Sequence, residues 1–298
     1  ISQMQRMQMT TSNAKNIKVF AVRGTFDDCQ SIVKRLFADK ELVSDVKLSG
    51  VNSINWARIL VQTIYYFSAF YQMKDLSGGK VSFSVPTGNF GDAYAGYLAK
   101  KMGLPINKII VATNKNDILD RVFKTGVYQC NYVSKTLSPS MDIQVASNFE
   151  RLLFDLLNKD SNEVRKLMDN LVKKGIFTVD ERMITQISQD FGSGAVTDKD
   201  TVATINHFFN TREVILCPHS AIGVRVAQEF VNAGETTISL GTAHPAKFKE
   251  TVESALGISI PVPPALENFI KKKERVKVIS PDKELVAEEI RSSFLRAY

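Results

Sequence analysis

Hydrophobic positions along this chain follow two spacings, one typical of buried strands and one typical of amphipathic helices. Short apolar runs predict strands at Ile17–Val22, Lys80–Val85, Ile109–Ala112, Thr237–Leu240 and Val276–Ile279. The helical spacing predicts helices at Asp28–Ala38, Ser53–Tyr71, Asp92–Met102, from Asn116, Phe149–Asn158, Asn162–Lys173, Glu181–Gln189, Lys199–Phe209, from Pro218 to Asn232, from Pro245 to Leu256 and Asp282–Phe294. Strands that alternate with helices at this spacing predict parallel βαβ units, and so an α/β protein with a doubly wound, mostly parallel sheet.

Two loops that lead from a predicted strand into a predicted helix carry unusual residues. They are Pro86–Asp92 and Gly241–Pro245. Ligands of doubly wound sheets bind outside the carboxyl ends of the strands. We therefore expect both loops to lie on the ligand-binding edge of the sheet.

The first loop, Thr87-Gly88-Asn89-Phe90-Gly91, is suited to an anion. Its glycines remove the Cβ atoms that would keep the backbone from curling around a ligand. The helix that follows offers free N–H groups and a favourable dipole, so a phosphate is the natural occupant. The spacing is neither that of a nucleotide P-loop nor that of a dinucleotide fingerprint. An ordinary turn with Asp92 as helix cap explains the same pattern, and the loop alone does not choose between the two.

A second polar stretch precedes the predicted helix that begins at Ser53. Asn52 and Ser53 offer an amide and a hydroxyl, and Arg58 can bind a phosphate with two parallel hydrogen bonds. Taken alone, the stretch favours a different interpretation, in which Asn52 and Ser53 only cap the helix.

Composition narrows the function further. The chain has 298 residues, is 44% hydrophobic and carries a net charge of +7. No apolar run is long enough to cross a membrane, and the first residues lack the apolar core of a signal peptide, so a cytoplasmic protein is expected. The basic run Lys271–Arg275 has no interleaved aromatic residues, which argues against nucleic-acid binding and favours a small anionic substrate. Three scattered cysteines and three scattered histidines predict neither disulfides nor a metal site.

Longer motifs then carry a resemblance. The segments SVPTGNFGDAYAGYLAKKMGLP, ATNKNDILDR, TLSPSMDIQVASNFERLL, CPHSAIG and LGTAHPAKF follow one another in the order and spacing found in threonine synthases. GTFDDCQSIVKRLFADKEL and VNSINWARILVQTIYYF add matches upstream. The sequence resembles the fungal and Gram-negative branch of that family. This implies the fold type II of pyridoxal 5′-phosphate (PLP) enzymes, which is shared with tryptophan synthase β.

The resemblance also implies an activity in threonine biosynthesis and a set of binding residues. The family converts O-phosphohomoserine and water into L-threonine and phosphate. The positions implied to bind PLP are Gly88, Asn89, Phe90, Gly91 and Asp92 around its phosphate, with Thr242 at its pyridine nitrogen. Those implied to hold the substrate phosphate are Asn52, Ser53 and Arg58. The partner is the small-molecule substrate, and the expected assembly is a monomer or a homodimer.

The chain departs from the family pattern in one respect. The family's Schiff-base lysine lies in a GPTxAFKD-like motif that precedes the segment matched here, and Lys74 does not fit that motif. The expectation is therefore an N-terminally incomplete fold with no catalytic residue in this chain, which alone would be inactive. Residues 1–50 would be the rest of a small mobile domain, and residues 51–298 a large PLP-binding domain with a C-terminal extension. A phospho-lyase that releases a keto acid and a non-catalytic homologue remain as alternatives.

Overall fold

A computed structural model of the chain describes residues 3–24, 26–73, 80–231 and 235–295. The predicted turn at Ser77–Gly79 and the rejected Lys74 lie outside them. The helices are α1 (Gln3–Thr10), α2 (Phe26–Ala38), α3 (Lys40–Val46), α4 (Trp56–Met73), α5 (Gly91–Lys101), α6 (Ile118–Thr125), α7 (Phe149–Leu156), α8 (Ser161–Lys174), α9 (Glu181–Asp190), α10 (Asp198–Arg212), α11 (Pro218–Ala227), α12 (Lys249–Leu256), α13 (Pro264–Ile270) and α14 (Lys283–Leu295). The strands are β1 (Phe20–Val22), β2 (Val81–Pro86), β3 (Ile106–Thr113), β4 (Val127–Gln129), β5 (Ile176–Thr178), β6 (Phe191–Ala195), β7 (Thr236–Ser239) and β8 (Lys277–Ile279).

The chain divides into two compact units. One spans residues 51–261, and the other, here called the terminal unit, combines residues up to 50 with those from 262 onward. In this division the C-terminal residues pack with the N-terminal segment.

The terminal unit is held together by a strand pair and a small apolar core. β1 pairs in parallel with β8, with Phe20 opposite Lys277 and Val22 opposite Ile279. Helices α2, α3 and α14 enclose the buried side chains of Ile32, Leu36, Leu42 and Ala287. The pairing of the two chain ends explains why the last strand and helix belong to this unit.

The 51–261 unit is built on a four-stranded parallel sheet with the order β6-β3-β2-β7. β2 is buried along its whole length, as expected for a central strand covered on both faces. Successive side chains point to opposite faces. Phe83 and Val85 therefore pack into the large cluster beneath α4 and α5, while the Ser84 hydroxyl on the other face donates to Gly223 O of α11 at 2.7 Å.

Helices on both faces confirm the doubly wound α/β prediction. The sequence predicts helices but no strand between Phe149 and Phe209, and this is wrong because two strands lie there. β5 pairs antiparallel with β4, and β6 pairs in parallel with β3 through Phe191 opposite Ile109 and Ala195 opposite Thr113. Among the described residues, no helix has the length and apolar character to cross a bilayer.

Candidate functional site

The loop from β2 to α5 is folded around the Thr87 side chain. Thr87 N–H continues the sheet by donating to Ala112 O at 3.0 Å. Its hydroxyl oxygen accepts the Phe90 N–H at 3.2 Å, and the hydroxyl itself donates to the Asp92 carboxylate. Phe90 takes a left-handed conformation with φ of 63° and is the residue that caps α5. Asp92 is thus not the N-cap that an ordinary turn would have used, but the second residue of the helix.

Three backbone N–H groups of this loop have no partner among the described residues. Within the described part of the chain, no hydrogen bond has the N–H of Gly88, Asn89 or Gly91 as its donor. Gly91 is buried, and burying an unpaired N–H is costly. Free N–H groups at a helix N-terminus, where the dipole adds positive potential, form a site that an anion satisfies.

Close neighbours leave no room for a side chain at either glycine of the loop. A Cβ at Gly88 would lie 2.9 Å from Ile143 Cδ1 and 3.2 Å from Met141 Cα. A Cβ at Gly91 would lie 3.1 Å from Asn148 Nδ2. The loop can therefore keep its curved path only without side chains at these positions.

Phe90 contributes through its position in the core rather than through a contact in the loop. Its ring is fully buried and meets Phe123, Phe149 and Phe191 at centroid distances of 6.0, 5.6 and 5.7 Å. Because its N–H is already bonded to Thr87, it has no free amide for an anion. The aromatic cluster instead fixes the left-handed residue that turns the loop into α5.

Asp92 adds a titratable group beside the loop. Burial raises the pKa of Asp92 to about 6, although hydrogen bonds from Thr87 and from Ala93 N–H, the latter at 2.9 Å, oppose the shift. The backbone carbonyl of Asp92 also accepts the Tyr66 hydroxyl at 2.6 Å. A carboxyl that is easily protonated repels a neighbouring anion less than an ordinary aspartate would.

The second predicted cluster lies next to this loop. Residues 52–55 form a turn in which Asn55 N–H donates to Asn52 O at 3.1 Å, so α4 begins at Trp56 rather than at Ser53. Asn52 Oδ1 accepts the Ile54 N–H at 3.3 Å. The exposed Arg58 donates to Val51 O at 2.9 Å.

Asn148 joins the two clusters. Its side-chain Nδ2 donates to Asn89 O at 3.2 Å and to Ser53 O at 3.0 Å. The two carbonyl oxygens share one nitrogen and so lie within about 6 Å of each other. The structure thus brings together the residues implied for the cofactor phosphate and those implied for the substrate phosphate.

Thr242 follows β7, the neighbour of β2 in the sheet. Because the strands are parallel, with Ser84 opposite Ser239, Thr242 and the Gly88 loop lie beyond the same carboxyl edge. The Thr242 hydroxyl is 3.2 Å from Ser220 Oγ and 3.5 Å from Cys217 Sγ, and its N–H donates to Ser220 Oγ at 3.1 Å.

Cys217 and His219 both have structural contacts at the start of α11. The buried Cys217 thiol accepts the Ser220 N–H and caps the helix. Burial, followed by nearby Lys247, lowers the pKa of His219 to about 4. Its Nε2 accepts the Ser140 N–H at 3.2 Å, so the proton lies on Nδ1, which has no partner among the described residues.

Reasoning from sequence missed Asn148 and Ser220. Asn148 directly precedes α7, but its side chain makes no capping bond. The available indication was its place inside the long ASNFER motif. No group of three or more potential metal ligands occurs in the described ranges.

Comparisons with known proteins identify relatives of this chain. A family model described as threonine synthase, C-terminal, matches residues 220–290. The chain is 46% identical over 281 residues to a threonine synthase of Pseudomonas aeruginosa, a match that covers 94% of this chain and 60% of that protein. It is 46% identical over 275 residues to the threonine synthase of Saccharomyces cerevisiae, covering 86% and 54%.

Solved structures give the same result. The PLP-bound threonine synthase of Brucella melitensis superposes with a TM-score of 0.88 at 45% identity, covering 97% of this chain and 62% of that one. The yeast enzyme gives 0.86 at 42% identity, covering 99% and 63%. The chain therefore has the fold of type II PLP enzymes, as its sequence predicted. Within that class, its sequence and structure resemble those of threonine synthases, and it spans 54–63% of the length of these four relatives.

Proposed function

We propose that this chain is part of a threonine synthase, a PLP-dependent lyase that converts O-phosphohomoserine and water into L-threonine and phosphate. The proposal rests chiefly on the three N–H groups of Gly88, Asn89 and Gly91, which have no protein acceptor among the described residues. A phosphate group satisfies such a set at a helix N-terminus. In a chain so similar to threonine synthases, the PLP phosphate is the phosphate expected there.

The residues present fit the cofactor at both ends. The loop 88–92 would hold the phosphate, and the partly protonated Asp92 carboxyl would limit the repulsion of that dianion. The Thr242 hydroxyl would contact the pyridine nitrogen, oriented by its contacts with Ser220 and Cys217. When bound, PLP supplies an electron sink for carbanions beside the amino group.

The substrate phosphate would be held by Asn52, Ser53 and Arg58. Arg58 is exposed and can turn its guanidinium towards an incoming phosphate. In the net reaction the bond between Cγ and the phosphate oxygen breaks, and phosphate leaves with the electron pair. The adjacent Cβ gives up one proton and takes the hydroxyl of water, and Cγ takes the remaining proton of that water. The role of these three residues is to bind and orient the leaving phosphate.

We also propose that the 298 residues alone bind the cofactor without turning over. The sequence contains no GPTxAFKD-like segment to supply the lysine that the family bonds to PLP. The setting proposed for the whole protein is the cytoplasm, as a monomer or a homodimer.

Equilibrium dialysis with PLP and with pyridoxal, which lacks the phosphate, tests the binding site. We expect PLP to bind at least about tenfold more tightly, since charge-assisted hydrogen bonds each contribute about 1.5–3 kcal/mol. Gly91→Ala should weaken PLP binding, because its Cβ would press on Asn148 Nδ2. Equal affinities for PLP and pyridoxal would refute the phosphate site.

Product analysis tests the reaction. The protein isolated from its source should release threonine and phosphate in equal amounts from O-phosphohomoserine. Formation of 2-oxobutyrate without threonine would overturn the synthase in favour of the phospho-lyase. Threonine formation by the 298-residue chain alone would refute only its proposed inactivity.

A further inference from the structure

Asn148 and Arg151 lie outside the predicted binding residues but connect them. Resting on the proposed function, we propose that this pair acts as positioning residues that hold the cofactor-phosphate loop 88–92 and the substrate-phosphate segment 52–58 at a fixed separation. The two side chains are called the Asn148–Arg151 bracket. Neither side chain is assigned a contact with either phosphate.

The buried side-chain amide of Asn148 bonds to both phosphate-binding segments. Asn148 has no exposed surface, and its side chain makes no capping bond to α7. Its backbone N–H donates to Asn89 O at 3.1 Å, and its Nδ2 donates to the same oxygen and to Ser53 O. One side chain therefore fixes a peptide group in each phosphate-binding segment.

Arg151 sets the orientation of that amide. Arg151 Nε donates to Asn148 Oδ1 at 3.0 Å. An arginine has no acceptor, so the oxygen of the Asn148 amide must face it and the nitrogen must face the two carbonyls. The hydrogen-bonding chemistry of the partners therefore allows only one orientation of the amide.

Arg151 also reaches the substrate segment directly. Its second guanidinium nitrogen donates to Ile54 O at 2.8 Å, and its charge lies over the Trp56 ring at 5.4 Å. Consecutive carbonyls, those of Ser53 and Ile54, are thus tied to α7 by two different side chains. A displacement of segment 52–58 must break both ties or move Asn148, and through it the loop at Asn89.

The bracket also accounts for the glycine at position 91. The Cβ of any other residue would lie 3.1 Å from Asn148 Nδ2, which is the atom that bridges the two segments. Keeping this position free of a side chain lets the amide sit beside the loop at hydrogen-bonding distance. The distance between the two segments matters because the phosphates of cofactor and substrate must be bound at the same time. An efficient reaction requires the bound groups to be held in a precise relative position.

Hydrogen exchange of the ligand-free chain tests the coupling. Asn148→Asp keeps the shape and the bond to Arg151 but places a carboxylate oxygen against two carbonyl oxygens. We expect at least about tenfold faster exchange of the Phe90 and Arg58 N–H groups, whose acceptors are Thr87 Oγ1 and Asn55 O. Neither bond includes Asn148, so their joint acceleration reports coupling of the segments.

Controls separate this effect from loss of folding. Exchange of the β3 amides should stay unchanged, and Asn162→Asp on the exposed start of α8 should leave both segments unaffected. If Asn148→Asp unfolds the chain, Arg151→Gln decides, since it leaves Asn148 in place. It should accelerate exchange at Arg58 strongly and at Phe90 to a smaller extent. Acceleration in only one segment, or in neither, would overturn the bracket.

PLP binding supplies a second measurement that a merely structural role would not change. With a displaced loop, the ratio of PLP affinity to pyridoxal affinity should fall at least about threefold in Arg151→Gln, while Arg165→Gln, at an exposed position of α8, should keep it. An unchanged ratio in Arg151→Gln would refute the positioning role. If the wild type binds no PLP but both segments respond in exchange, the bracket stands and the proposed function fails.

Discussion

Asp92 is a largely buried acid in the loop that is proposed to hold the cofactor phosphate, and its replacement by asparagine tests the electrostatics of that loop. In Asp92→Asn, the side-chain amide would keep the acceptor oxygen that serves Thr87 and Ala93 N–H. It would replace the ionisable oxygen with an NH₂ group, and so mimic the protonated acid. The substitution therefore removes one titration from the loop with little change in shape.

The size of the effect follows from the shift in pKa. Burial raises the pKa of Asp92 from 3.8 to about 6, and one pKa unit corresponds to about 1.4 kcal/mol. The unfolded chain releases this proton more readily than the folded one, so the contribution of Asp92 to stability is greatest below pH 4 and falls as the pH rises through 6. The loss attributable to Asp92 is about 3 kcal/mol in total, and most of it occurs between about pH 4 and 7.

Urea unfolding of both proteins between pH 4 and pH 8 measures this contribution. The stability of Asp92→Asn relative to the wild type should rise by about 2–3 kcal/mol from pH 4 to pH 7 and then level off. All other titrating groups are common to both proteins and cancel in the difference. A difference that does not vary with pH would show that Asp92 has an ordinary pKa, and the reasoning on its burial would be refuted.

Three further substitutions probe the surroundings of the site. In Gly96→Ala the new Cβ would lie 2.6 Å from the buried Tyr66 ring, so urea unfolding should show that the free energy of unfolding falls by about 1–3 kcal/mol. Gly241→Ala, where the new Cβ has nothing within 4 Å, should lower it less. Equal losses in the two variants would contradict the steric argument. Asn114→Ala removes the amide that bonds three side-chain oxygens at 2.8–2.9 Å. Chemical unfolding should show that the free energy of unfolding falls by about 1–3 kcal/mol, and an unchanged unfolding midpoint would refute this. Thr242→Val should weaken PLP binding several-fold and change the absorption spectrum of the bound PLP, and Thr242→Ser should restore both. An unaltered spectrum in the valine variant would show that Thr242 does not contact the cofactor.

The sequence predicted the central strands and the loops at their ends because those signals are local. β2 alternates apolar and small residues, and the loop after it combines two glycines with a following helix. β6 has the sequence FGSGA and shows no strand pattern. A Cβ atom at Gly192 would lie 2.5 Å from the Phe230 side chain, and one at Gly194 would lie 2.8 Å from the Val226 side chain, so neither position has room for a larger residue. Such a requirement comes from tertiary packing and leaves no periodicity in the sequence.

The same limit applies to the site. Long motifs point to Arg58 and Thr242 as proposed site residues, whereas an asparagine before a helix, such as Asn148, is typical of an ordinary cap. The side chain of Asn148 bonds to carbonyl groups 95 and 59 residues away in the chain, which no local pattern reveals. Similarly, the sequence predicts both β1 and β8 as strands but does not show that these distant strands pair with each other.

The pairing of β1 with β8 has a consequence for how the polypeptide acquires its structure during synthesis. Phe20 pairs with Lys277, so the terminal unit cannot close until residue 277 has left the ribosome. By then the 51–261 unit, whose strands all lie between those two segments, can already have folded. Refolding experiments should therefore show the parallel sheet forming first and the terminal unit last. A protease cut near residue 262 should unfold the N-terminal segment while the sheet stays folded.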